Sequence, residues 1–106
     1  MSAMSRNKGK RGEYELRDYL QQWFPSAQRG ANQSRIGSDA ADVEGTPFWT
    51  EAKLGAKPNV RAALAQAQEA TDGRPVLVSI RDDRASAFFV LDERSLTDLL
   101  NKAYPR

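Results

Sequence analysis

The chain has 106 residues with 40% apolar and 28% charged side chains, the composition of one ordinary globular domain. It lacks cysteine and histidine, which excludes disulfides, thiolate metal sites, imidazole acid–base catalysis and the usual zinc sets. The net charge is +2, and residues 1–12 hold Arg6, Lys8, Lys10 and Arg11 without an acid, which suggests an arm for phosphate contact.

Residues 1–8 read as a flexible basic arm ahead of a single domain over 9–106. Apolar residues at Leu16, Tyr19, Leu20, Trp23 and Phe24 have a helical period from about Lys10, and Pro25 ends that helix. Residues 26–40 read as a polar loop with a short strand near Ser34 to Ile36. Residues 41–44 and 48–54 read as two strands around a Gly45-Thr46-Pro47 turn. An Ala-rich helix is expected over 59–70, capped by Asn59 and stopped by Gly73. Residues 75–80 and 87–91 read as strands, and Ser95 as the cap of a last helix to about Ala103. The order αβββαββα predicts an α/β domain with one mixed central sheet flanked by helices. No apolar run is long enough for a membrane span, and the lack of cysteine fits a cytoplasmic protein.

The strand TEAKLG sets Glu51 and Lys53 on one face with Trp49, and Phe48, Thr50, Ala52 and Leu54 on the other. The second face is expected to be the core side, so Glu51 and Lys53 are expected to project away from the core. A turn centred on Thr46-Pro47 pairs Val43 with Thr50 and Asp42 with Glu51. Two carboxylates facing each other repel, and a divalent cation held by Asp42, Glu51, the Ala52 carbonyl and waters removes the objection. Glu13 lies at the edge of the buried stripe of the first helix. It reads either as a third acid for the site or as a first-turn acid favoured by the helix dipole. With no histidine or cysteine, carboxylate ligands favour Mg²⁺ or Mn²⁺.

Asp42, Glu51-Ala52-Lys53, an acidic helix upstream and the LAQAQ helix downstream together resemble the PD-(D/E)XK nuclease superfamily. The run NKGKRGEYELRDYL resembles the start of the archaeal-type Holliday junction resolvases and related phage nucleases. The likeness spans roughly residues 8–92 in motif order, with Ala41 where the family's name has proline. It implies a restriction-endonuclease-like fold and a catalytic set of Glu13, Asp42, Glu51, Lys53 and Gln66, with Gln68 the alternative to Gln66. It also implies Mg²⁺ held by Glu13, Asp42, Glu51 and Ala52. Lys53 would orient the attacking water and stabilise negative charge. The implied activity is metal-dependent cutting of branched DNA, a four-way junction above all, by a homodimer in the cytoplasm, or in the host cytoplasm if phage-encoded. Arg6, Lys8, Lys10, Arg11, Arg29, Arg35, Lys57 and Arg61 are the candidate phosphate contacts. The alternatives are a phage-type repair, flap-cutting or nicking nuclease, and a non-catalytic nucleic-acid-binding module.

Overall fold

The computed structural model describes residues 3–30, 40–55, 58–82 and 86–106, with residues 3–9 described by their backbone alone. In chain order the elements are α1 (Ala3–Leu20), β1 (Gln28–Arg29), β2 (Val43–Glu44), β3 (Trp49–Leu54), α2 (Val60–Ala70), β4 (Val76–Arg81), β5 (Phe88–Val90) and α3 (Glu93–Ala103). They form one α/β domain. No helix among the described residues is long and apolar enough to cross a membrane. The segment expected to form a strand near Ser34–Ile36 lies outside the described residues.

The centre is a three-stranded mixed sheet in the order β3-β4-β5. β3 and β4 are parallel, with Glu51 beside Val78 and Lys53 beside Ile80. β5 is antiparallel to β4, with Val90 beside Val78 and Phe88 beside Ile80. The run Val76-Leu77-Val78-Ser79-Ile80 is buried throughout, because helices cover both faces of the parallel pair. One face packs Leu77 and Phe48 against Leu16 and Leu20 of α1, with Leu99 of α3 at the margin. The other packs Trp49, Val76, Val78 and Ile80 against Ala63 and Ala67 of α2. Alanines on that side of α2 let the helix lie close to the sheet.

Three expectations are corrected. Helix α1 begins at Ala3 and not near Lys10, so the backbone of residues 3–8 is helical; Ala, Met, Arg and Lys in this stretch are good helix formers that extend an existing helix. It also ends at Leu20, with turns carrying the chain to Pro25. The cap of α3 is Asp92, whose carboxylate accepts from the Ser95 N–H at 2.8 Å. Ser95 is instead drawn into the core, where its Oγ accepts from the Val76 N–H at 2.8 Å. Asn59 does cap α2, accepting from the Ala62 N–H at 3.0 Å.

The third correction concerns the sheet. β1 and β2 form a separate two-stranded ribbon, with Arg29 beside Val43. The chain from 41 to 50 is still a hairpin, but it lacks a full ladder to β3. Thr50 replaces it: its Oγ1 accepts from the Val43 N–H at 2.8 Å and donates to the Val43 carbonyl at 3.0 Å. The Asp42 N–H donates to the Thr50 carbonyl at 3.1 Å. Val43 therefore faces Thr50, but through a side chain. Thr50 is fully buried. The isosteric Thr50→Val leaves a buried N–H and a buried carbonyl unpaired, an expected loss of roughly 2–4 kcal/mol in denaturant unfolding; a loss under half a kcal/mol would contradict this role for the hydroxyl.

Candidate active site

Asp42 stands between the Val43 clamp and the end of the β1–β2 ribbon. On one side, Gly30 donates its N–H to the Asp42 carbonyl at 3.1 Å. A Cβ on Gly30 would run into the Ala41 carbonyl oxygen, so no side chain fits there. On the other side, the Asp42 Oδ2 accepts from the Ala52 N–H at 2.8 Å. Backbone and side chain of Asp42 are thus both anchored to β3. In a strand the N–H and C=O of one residue point to the same side, so the Ala52 carbonyl is aimed at this edge as well.

Glu51 meets Asp42 there. Its carboxyl group hydrogen-bonds that of Asp42. Burial is the largest influence on Glu51, followed by the negative charge of Asp42, and its carboxyl is pushed up to about 7 against the opposing charge of Lys53. Asp42 is also raised, first by burial and further by the charge of Glu13; the Ala52 N–H and Lys53 pull the other way. Two carboxyl groups in contact, Glu51 buried and Asp42 half-buried, form a pair that a cation could bridge.

Glu51 is only 5% exposed, which corrects the expected orientation. The face carrying Trp49, Glu51 and Lys53 does not point away from the core; it lies under α2, and Trp49 belongs to the core there. Both faces of β3 are covered. Glu51 itself is buried, and accessibility along β3 begins just after it, from Ala52 and Lys53 onward.

Lys53 reaches toward α2, where its Nζ donates to the Gln66 Oε1 at 3.3 Å. Gln68 binds the Asp92 carboxylate at 2.9 Å and takes no part. A groove of about 370 Å³ opens beside Lys53 and Gln66, walled by Ala62 and Ala63.

Glu13 is held differently. Helix α1 crosses β3 at Gly12, where an added Cβ would lie 3.3 Å from the Leu54 Cβ. This close crossing brings the next residue to the site's margin, near enough for its charge to raise both other acids. Its Oε1, however, accepts from the Arg29 Nε at 2.8 Å, and Arg29 also lies over the Tyr14 ring. Among the described residues no three acidic side chains close into a metal-holding group. Asp42, Glu51 and the Ala52 carbonyl fit a small hard ion that keeps several waters, as Mg²⁺ does when one or two carboxylates hold it.

The remaining candidate cations scatter. Arg11 lies 3.8 Å from Glu15, which also pairs with Arg81 at 2.8 Å. Lys10 and Arg61 are exposed. Arg35 and Lys57 lie outside the described residues, as do the side chains of Arg6 and Lys8. Two supporting residues carry no local sequence signal for their roles. Thr50 reads as a core strand residue, and the Arg29–Glu13 pair joins positions far apart in the chain.

No family model, curated protein or solved structure matches this chain.

Proposed function

We propose that the protein is a metal-dependent, structure-selective DNA endonuclease of restriction-endonuclease-like fold, acting as a homodimer on four-way junctions in the cytoplasm. The observation that carries this reading is the contact between Asp42 and Glu51 beside Lys53, in a chain with no histidine or cysteine and so without imidazole or thiol catalysis. A module that only bound nucleic acid would gain nothing from buried acids where a phosphate approaches.

Bound Mg²⁺, held by Asp42 and Glu51 with the Ala52 carbonyl, would supply Lewis-acid stabilisation and a water acidic enough to attack. The residues of the chain do the rest. Asp42, fixed at backbone and side chain, sets the geometry. Glu51, raised by burial and by the charge of Asp42, would supply the second carboxylate to such an ion. Lys53 places a positive charge where the phosphate gains negative charge, which lowers the barrier electrostatically. Gln66 holds the Lys53 ammonium, and its amide can orient the attacking water. Glu13 adds negative charge at the margin while Arg29 keeps it in place.

The choice among DNA forms is tested with labelled synthetic substrates in Mg²⁺: a four-way junction, a flap, a plain duplex and a single strand, with solution mass measured alongside. Expected are paired cuts in the junction by a protein of twice the chain mass. Preferential cutting of the flap by a monomer would favour the repair-type reading, and binding without cutting of any form would favour the non-catalytic one.

A further inference from the structure

Arg29 ties the β1–β2 ribbon to α1 at the edge of the site. Its backbone pairs with Val43, and the next N–H, that of Gly30, donates to the Asp42 carbonyl at 3.1 Å. Its side chain leaves the ribbon for α1. There the Nε donates to the Glu13 Oε1 at 2.8 Å, and the guanidinium lies 5.1 Å from the centre of the Tyr14 ring. The acid that α1 brings to the margin of the site is thus neutralised by a cation carried on the ribbon that holds Asp42.

The two partners differ in access. The Arg29 side chain is 29% exposed and that of Glu13 only 17%. A ligand arriving from solvent reaches the guanidinium before the carboxylate. A guanidinium accepts a phosphate in place of a carboxylate through the same charge-assisted hydrogen bonds. Glu13, half-buried and stripped of its cation, then needs another positive charge. A divalent ion at Asp42 and Glu51 supplies it. While Arg29 holds Glu13 the reverse applies: the guanidinium cancels the charge of Glu13, and among the described residues no three acids close on a metal.

We propose that Arg29 is a substrate-operated latch on Glu13: a DNA phosphate takes the guanidinium, and the released carboxylate completes the divalent-cation site. The proposal rests on the nuclease reading for the identity of the phosphate ligand and adds a regulation of that same site. Metal and DNA then bind cooperatively, each tightening the other by the same factor. The free protein holds its metal weakly until a strand is in place.

Two titrations in which nothing is cut test the latch: Mn²⁺ without DNA, and a four-way junction in EDTA. Each is run on wild type, Arg29→Gln, Glu13→Gln and the double variant. Arg29→Gln is expected to tighten Mn²⁺ about tenfold, and to lose most of that gain in the Glu13→Gln background, where no carboxylate is released. Glu13→Gln is expected to tighten the junction about tenfold, and to lose most of that gain once Arg29 is replaced. Arg29→Lys, which can still pair with Glu13, is expected to bind Mn²⁺ like wild type. Unchanged Mn²⁺ affinity in Arg29→Gln would overturn the latch. So would equal effects in both backgrounds, which mark the loss of a nearby charge acting without its partner, or a lysine variant that tightens Mn²⁺ as glutamine does. Cleavage in Mg²⁺ is scored in parallel. Both cycles as expected without any cutting would remove the nuclease reading and keep the latch; cutting by a protein whose cycles show no coupling would do the reverse.

Discussion

Glu51→Gln is expected to lower the rate of DNA cleavage at least a thousandfold, roughly the effect of losing about 4 kcal/mol of transition-state stabilisation, while DNA affinity holds or rises. Glutamine keeps the shape of Glu51 and can still hydrogen-bond Asp42, so the buried corner under α2 does not collapse. What disappears is the second negative charge, and with it half of the carboxylate pair available to a cation. Affinity should not suffer, because a negative charge near the scissile phosphate opposes binding. Cleavage within tenfold of wild type, measured on labelled DNA with the two proteins matched for thermal stability, would show that Glu51 is only a buried structural acid.

The same pair makes stability depend on pH in a direction unusual for carboxylates. The Glu51 carboxyl lies at about 7 in the fold against 4.5 for an unperturbed glutamate. Between those values the folded protein binds more protons than the unfolded chain, so stability falls as pH rises and levels off above about 7. The raised Asp42 acts in the same direction. Metal-free protein is therefore expected to be less stable at pH 8 than at pH 5, by on the order of a few kcal/mol from this pair. Mg²⁺ should restore stability at pH 8, where both acids are ionised, and do little at pH 5. In Glu51→Gln both the slope and the Mg²⁺ effect should shrink. Denaturant unfolding in EDTA and in Mg²⁺ at the two pH values checks this; wild type that is more stable at pH 8 without metal would contradict the burial of the pair.

The meeting of Asp42 and Glu51 was legible in the sequence because a turn signal and a period of two are local properties. The pairing of Val43 with Thr50 follows from the same turn, although a side-chain clamp in place of a ladder does not. The burial of Glu51 was not legible. Alternation in WTEAKL assigns residues to two faces, but whether one or both are covered depends on α2 crossing from β3 to β4, which only the tertiary arrangement decides. The cap of α3 shows a similar limit. Asp92 and Ser95 are both good caps, and the choice falls to Asp92 because Val76 takes the Ser95 hydroxyl. The two-residue strand Gln28–Arg29 exists only through its partner Val43–Glu44. The Arg29–Glu13 pair likewise appears only when α1 and the ribbon come together, and it gives Arg29 a carboxylate partner where a free phosphate contact was expected.

The most direct measurement is the chemistry of the cut itself. Wild type in Mg²⁺ should hydrolyse DNA to ends bearing a 3′-hydroxyl and a 5′-phosphate, should cut nothing in EDTA, and should lose the activity in Asp42→Asn. Failure to cut any DNA form in Mg²⁺, or cutting by Asp42→Asn at the wild-type rate, would contradict the assignment of Asp42, Glu51 and Lys53 as a phosphodiesterase site.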